Sequence, residues 1–175
     1  LFVLDKDQLV CVATDGHRLS YATMPVEGNF NRQEIIVPRK TVIELSKLLG
    51  ETDDPITIDI LANQVRFSFG NIELTSKVID GKFPDYNRVI PTAHSKIITL
   101  DRLLLLHTLQ RAAILSNERF RGVRIGLHPG ALKIACTNNE QEEAEEEIEV
   151  AYEGAAVDIG FNINYLLDAL ATLSS

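Results

Sequence analysis

The last 36 residues of this chain, 140–175, contain neither lysine nor arginine. All 17 basic residues lie in 1–139, against 15 acids, while 140–175 hold ten acids, seven of them between Glu140 and Glu149. The net charge of −8 is therefore the sum of +2 over the first stretch and −10 over the second. An acidic run on its own reads as a solvated face or a tail. Here Ala144, Ile148 and Val150 interrupt it, which predicts an ordered acidic edge. That edge suits either plain solvation or a basic protein partner.

Long apolar runs are also missing. None reaches the roughly 18 residues that a membrane-spanning helix needs. No basic-then-apolar leader opens the chain, so nothing marks it for secretion, and a cytoplasmic location is expected. Cysteine is scarce: Cys11 and Cys136 each fall inside an apolar strand of a separate half. Free, buried thiols in a reducing compartment are expected rather than a disulfide. At 175 residues and 45% apolar content the chain can fill one large or two small cores.

What the sequence does have is one unit written twice. Sliding it by 123 positions lays Leu9-Val10-Cys11-Val12-Ala13-Thr14-Asp15 on Leu132-Lys133-Ile134-Ala135-Cys136-Thr137-Asn138. After one inserted residue, the stretch from Ile35 to Glu44 falls on that from Ile159 to Asp168. The shared features are apolar alternation, a Thr-Asp/Asn corner and a helix start, and self-similarity at long period argues for tandem domains of one design. The chain begins inside a strand and stops inside the second copy's helix, so it reads as a piece of a longer protein.

Pattern and punctuation predict a hairpin of 1–5 with 8–13 around Asp5-Lys6-Asp7, a third strand over 17–24 and a polar loop from Glu27 to Gln33. Strand 34–37 and a helix over 39–49 follow, the helix opened by Pro38, stopped by Gly50 and apolar along Val42, Ile43, Leu45, Leu48 and Leu49. Strands are expected at 56–61, 64–69 and 71–77. The segment from Asp80 to Ser95 reads as a connector, with Phe83-Pro84-Asp85-Tyr86 a stiff piece carrying two aromatic anchors. Beyond it come strand 96–100, a helix capped by Thr99 or Asp101 with Leu103, Leu106, Leu109 and Ala113 on one face, strands at 122–128, 131–137, 143–151 and 156–161, and a helix over 162–173 capped by Asn162. Runs of strands broken by few helices give an α+β class with antiparallel sheets.

Asp15-Gly16-His17-Arg18 is the segment closest to chemistry. Asp15 and His17 could form a general-base dyad with Ser20 as nucleophile, a small-hydrolase reading. No glycine-rich oxyanion loop or second acid accompanies them, and no third ligand stands at a spacing that would hold a metal. A structural strand turn and the rim of a peptide-binding site remain as the other readings. His94, His107 and His128 carry no functional assignment.

Five stretches, in order and spacing, resemble the bacterial sliding-clamp family, the beta subunit of DNA polymerase III: Ala13-Thr14-Asp15-Gly16-His17-Arg18-Leu19, Val37-Pro38-Arg39-Lys40, Asp80-Gly81-Lys82-Phe83-Pro84-Asp85-Tyr86, Arg111-Ala112-Ala113-Ile114-Leu115-Ser116-Asn117-Glu118 and Gln141-Glu142-Glu143-Ala144-Glu145-Glu146. The resemblance implies tandem clamp domains with antiparallel sheets outside and helices lining the DNA-facing side. Residues 1–86 would be the C-terminal portion of a second domain and 87–175 a truncated third. It implies a non-catalytic processivity factor without cofactor or metal, a homodimeric ring around double-stranded DNA of any sequence. Its partners would be the clamp loader, the DNA polymerase III alpha subunit and other polymerases or repair proteins, held through short peptide motifs.

Carried over by motif, the peptide pocket would be Thr14, Gly16, His17, Arg18, Leu19, Pro84, Arg88 and Val89. Gly16 would let a ligand backbone approach, Leu19, Pro84 and Val89 would offer apolar walls, and Arg18 and Arg88 would bind carbonyls or a carboxylate. Arg39 and Lys40, opening a helix, would meet phosphate or simply be solvated. Ile114 and Leu115, with Glu142, Glu143, Glu145 and Glu146, would form the dimer interface, ordinary core being the alternative for the two aliphatics. A generic peptide-recruiting domain that never touches DNA is the third functional class.

Overall fold

The computed structural model describes residues 1–50, 54–117 and 119–173. Glu118, at the end of one clamp-like motif, lies outside the described residues. The chain forms two compact units, Leu1–Ile90 and Pro91–Ser175.

In the first unit, β1 (Phe2–Thr14) pairs antiparallel with β2 (Leu19–Ile35) in two separate stretches. Residues 2–4 pair with 33–35, and residues 8–14 with 19–25. Between them β1 folds back on itself at Lys6, whose φ of 55° lies in the left-handed region. Leu1 and Val12 exchange both backbone bonds across the fold, Leu1 N to Val12 O at 2.8 Å and Val12 N to Leu1 O at 2.9 Å. The expected hairpin around Asp5-Lys6-Asp7 is therefore present inside β1. The expected loop over Glu27–Gln33 is instead carried within β2, where only Phe30 of residues 26–32 finds a partner, Lys6. Its polar side chains fit this exposed, extended path as well as they fit a loop.

Pro38 precedes α1 (Arg39–Leu49), and Gly50 ends it with φ 55°. A three-stranded antiparallel sheet follows, β3 (Thr57–Ile60), β4 (Gln64–Phe69) and β5 (Ile72–Lys77), in that order. Every second residue of β4 points inward, so Val65, Phe67 and Phe69 join Ile35, Val37 and Leu45 in one core. Of the five apolar residues expected on one face of α1, only Leu45 is buried, with Leu49 packed against the same core. Val42, Ile43 and Leu48 form an exposed row. Periodicity finds the apolar side of a helix, but not how much of that side its neighbours reach.

The connector is anchored rather than free-running. A 3-10 turn at Tyr86–Arg88 buries Tyr86 beside Val3, Val10 and Val12, and Phe83, Leu19 and Ile90 pack on that cluster.

The second unit has no strand at 96–100 among its described residues; the chain there runs without ladder partners up to α2 (Arg102–Ala113). Of the two proposed caps the structure uses Asp101, whose Oδ1 accepts from Leu104 N at 2.7 Å. The buried row of α2 is Leu109 and Ala112 with Leu105 against the core, whereas Leu103 is exposed. Four consecutive leucines leave the phase of that helix undetermined by pattern alone. A four-stranded antiparallel sheet in the order β8-β7-β6-β9 follows: β6 (Gly122–His128), β7 (Ala131–Thr137), β8 (Glu143–Glu149) and β9 (Val157–Asn162). Last comes α3 (Ile163–Thr172), capped by Asn162. The Arg102 guanidinium donates to Leu170 O at 3.0 Å, tying the start of α2 to the last turn of α3.

The duplication is now visible in three dimensions. In the first unit the stretches 19–25, 8–14, 2–4 and 33–35 run in the same order as β8, β7, β6 and β9 in the second. Cys11 is half-buried and Cys136 buried, both free. Burial pushes both thiols above their ordinary pKa.

Candidate functional site

The corner between β1 and β2 is closed by its own side chains. Asp15 Oδ1 accepts from His17 N and Arg18 N, each at 3.0 Å, and Oδ2 accepts from Arg18 Nε at 3.2 Å. Thr14 Oγ1 accepts from Gly16 N at 3.1 Å and donates to Arg18 O at 2.7 Å. Gly16 sits at φ 87°, where a side chain is strained, and a Cβ there would meet no neighbour within 4 Å. The Arg18 and His17 backbone N–H groups, aided by the Arg18 guanidinium, hold the Asp15 carboxyl below its ordinary pKa. These bonds spend the Asp15 carboxylate on the turn rather than on an imidazole, so the local chemistry is that of a rigid corner, not of a dyad.

Beside the corner lies a cavity of about 540 Å³ with mostly apolar walls, among them Leu1, Val12, Tyr21, Val37, Val42 and Phe83. Thr14, Asp15 and Arg18 stand at it, and so does Arg39 from the first turn of α1. Of the eight pocket residues inferred by resemblance, the cavity gathers Thr14 and Arg18; Gly16, His17, Leu19, Pro84, Arg88 and Val89 are not among its walls. Leu19 instead packs with Phe83, Tyr86 and Ile90, which joins the corner to the connector through a shared core. Pro84, Arg88 and Val89 are exposed, Val89 at 63%. Arg88 Nε pairs with Asp85 Oδ2 at 3.2 Å. Asp85 and Asp15 thus each hold an arginine three residues on, an Asp-x-x-Arg signal legible in the sequence that motif reading passed over. Sequence reasoning also missed Tyr21 and Phe83 as cavity walls; Tyr21 lies two residues beyond the first motif and Phe83 inside the third, among its aromatic anchors.

Arg39 and Lys40 are exposed at the start of α1, where no side chain caps the helix. In the second unit, β8 turns Glu143, Glu145, Glu147 and Glu149 to one exposed face. Glu146 faces the other way and takes Arg111 with both oxygens, Nε at 2.8 Å and Nη2 at 2.9 Å. That guanidinium holds the Glu146 carboxyl below its ordinary pKa. Glu146 is thus paired within the chain, because its strand position points it at α2. Glu142 accepts from Asn138 Nδ2 at 2.6 Å. Ile114 is 79% exposed and Leu115 half-buried, so Ile114 belongs to no core of this unit. Among the described residues no group of three His, Cys, Asp or Glu is placed to hold a metal, and no helix is long and apolar enough to cross a membrane.

Two successive α+β units of one design, with a closed acidic corner, an apolar cavity and an acidic edge, define a repeated clamp-type domain. The family model for the DNA polymerase III beta subunit, central domain, matches residues 1–85, and that for its C-terminal domain matches residues 87–175. The chain belongs to this family, the bacterial beta sliding clamps, which are non-catalytic processivity factors of DNA replication. It is 47% identical to the Escherichia coli K12 beta sliding clamp over 173 residues, 99% of this chain and 47% of that protein. Against the Pseudomonas putida KT2440 clamp it is 45% identical over 177 residues, 100% of this chain and 48% of the relative. A crystal structure of the Pseudomonas aeruginosa beta subunit superposes with a TM-score of 0.93 at 45% identity, over 97% of this chain and 47% of that one. Another P. aeruginosa clamp, bound to griselimycin, gives 0.94 at 44%, over 99% and 47%. The chain spans about half the length of the relatives it matches. Membership in a non-catalytic family overturns the hydrolase reading of Asp15 and His17.

Proposed function

We propose that this chain is part of a cytoplasmic, ring-shaped homodimeric clamp that encircles duplex DNA without reading its sequence. It tethers the replicative polymerase, the clamp loader and other replication or repair proteins through short peptides docked beside the Thr14–Leu19 corner. The observation that carries this reading is the rigid corner standing at an apolar cavity of about 540 Å³ in a member of the clamp family. Thr14, Gly16, His17, Arg18 and Leu19 supply one side of the docking surface, and Pro84, Arg88 and Val89 extend it along the connector. Arg39 and Lys40 contact phosphate from the open end of α1, where the helix favours anions. Ile114, Leu115, Glu142, Glu143 and Glu145 meet the second subunit, and Glu146 supports that face through Arg111. The excess of acid elsewhere keeps DNA off the rest of the molecule.

A docked peptide that buries one Leu and one Phe removes roughly 200–300 Å² of apolar surface, about 5–8 kcal/mol gross. After ordering costs, an affinity near micromolar follows. Calorimetric titration of such a peptide into the full-length protein tests the docking surface, with griselimycin as competitor. Arg18→Ala is expected to weaken binding by about tenfold while the melting temperature holds, and Leu19→Ala to weaken it similarly with some loss of melting temperature, since Leu19 also packs on the Tyr86 cluster. Wild-type affinity in both variants removes the assignment.

A further inference from the structure

The two copies of the corner differ at one informative point. Asp15 and Asn138 occupy the same place in the repeat, and each closes its corner with one oxygen, over residues 15–18 in the first copy and the one-residue-longer 138–142 in the second. Asp15 Oδ1 accepts from two backbone N–H groups at 3.0 Å, and Asn138 Oδ1 from Glu140 N at 2.9 Å and Glu142 N at 3.0 Å. A neutral amide oxygen can therefore supply the acceptor that such a corner uses. The second atom of each side chain carries the difference. Asn138 Nδ2, a donor, binds the acceptor Glu142 Oε2, whereas Asp15 Oδ2, an acceptor, binds the donor Arg18 Nε. The residue at each corner matches the polarity of the side chain it holds: a cation in the first copy, an anion in the second. Arg18 lines the cavity together with Asp15.

We infer that Asp15 is a positioning residue for peptide binding, fixing the Arg18 guanidinium at the cavity so that it meets a carbonyl or carboxylate of the docked chain. This rests on the docking reading of the corner. Preorganisation is the physical gain: an arginine already held in one rotamer loses less freedom when a ligand arrives. Asp85, bonded to Arg88 in the same Asp-x-x-Arg spacing, repeats the device on the connector.

A double-mutant cycle on the full-length protein tests it, with a fluorescein-labelled peptide carrying one Leu and one Phe as probe. Asp15→Asn keeps an oxygen for the turn, as Asn138 does, and turns an amide donor toward Arg18. Its melting temperature should match wild type while peptide affinity falls about three- to tenfold. In the Arg18→Ala background the same Asp15→Asn change should have no further effect, because its target is gone. Asp15→Ala, which deletes the acceptor too, should lose both affinity and melting temperature. Full affinity in Asp15→Asn, or an equal loss from it with and without Arg18, overturns the positioning role. Wild-type affinity in both Arg18→Ala and Leu19→Ala overturns the docking reading itself, so the two failures are distinguishable.

Discussion

Glu146 and Arg111 are a residue pair whose effect on stability has a definite sign. The folded protein holds the Glu146 carboxyl below its ordinary pKa through the two-pronged Arg111 contact. A carboxyl depressed on folding contributes stability that is fully present above its unfolded pKa and is lost as pH falls through the lowered, folded value. The pair is partly solvent-exposed, Arg111 more than Glu146, so the effect is small. Glu146→Gln should therefore have a lower urea midpoint than wild type near neutral pH, with the two curves converging as the solution is made acidic. Curves that stay parallel across the whole range would remove the pair's contribution. At this scale the sequence was uneven in what it showed. The Asp101 and Asn162 caps and the Thr-Asp corner stood out because short polar side chains before apolar runs have a local cause. The Arg111–Glu146 pair did not, since it spans 35 positions and depends on which way β8 turns each glutamate.

Elements were legible where one face is buried and the other is wet. β4 alternates cleanly, so Val65, Phe67 and Phe69 could be assigned inward before any coordinates. α1 was bracketed by Pro38 and Gly50, residues that act through their own backbone preferences. Segment 96–100 has the composition of a strand but no partner among the described residues, and pairing is not a local property. For α2, the leucines from 103 to 106 allow several phases, and the structure selects the one that buries Leu109 and Ala112. This choice has a direct consequence. Leu109→Ala should cost about 2–5 kcal/mol, as large-to-small changes in a packed core do. Leu103→Ala, on the exposed side, should stay within about 0.5 kcal/mol. Chemical denaturation of the two variants decides the phase; a larger loss from Leu103→Ala than from Leu109→Ala would mean that the helix packs the other way round.

At the scale of the whole molecule, the repeat was the feature that the sequence carried furthest, because two copies of one fold must reuse the same turns and strand order. Charge adds the second theme. All the bases lie in the first 139 residues and every charged residue of the last 36 is an acid, and in the proposed reading contact with DNA comes from a few sites such as Arg39 and Lys40. Their joint replacement by alanine should weaken DNA binding alike on every sequence. Each lost phosphate contact should flatten the log–log salt dependence by about 0.9. A changed sequence preference would mean that bases are being read. The most direct test of the central claim is topological: full-length protein is loaded on circular DNA, the DNA is linearised, and retention is followed by gel filtration. A clamp stays on the circle and runs off the free ends after cutting. Equal retention on circular and linear DNA would contradict encirclement.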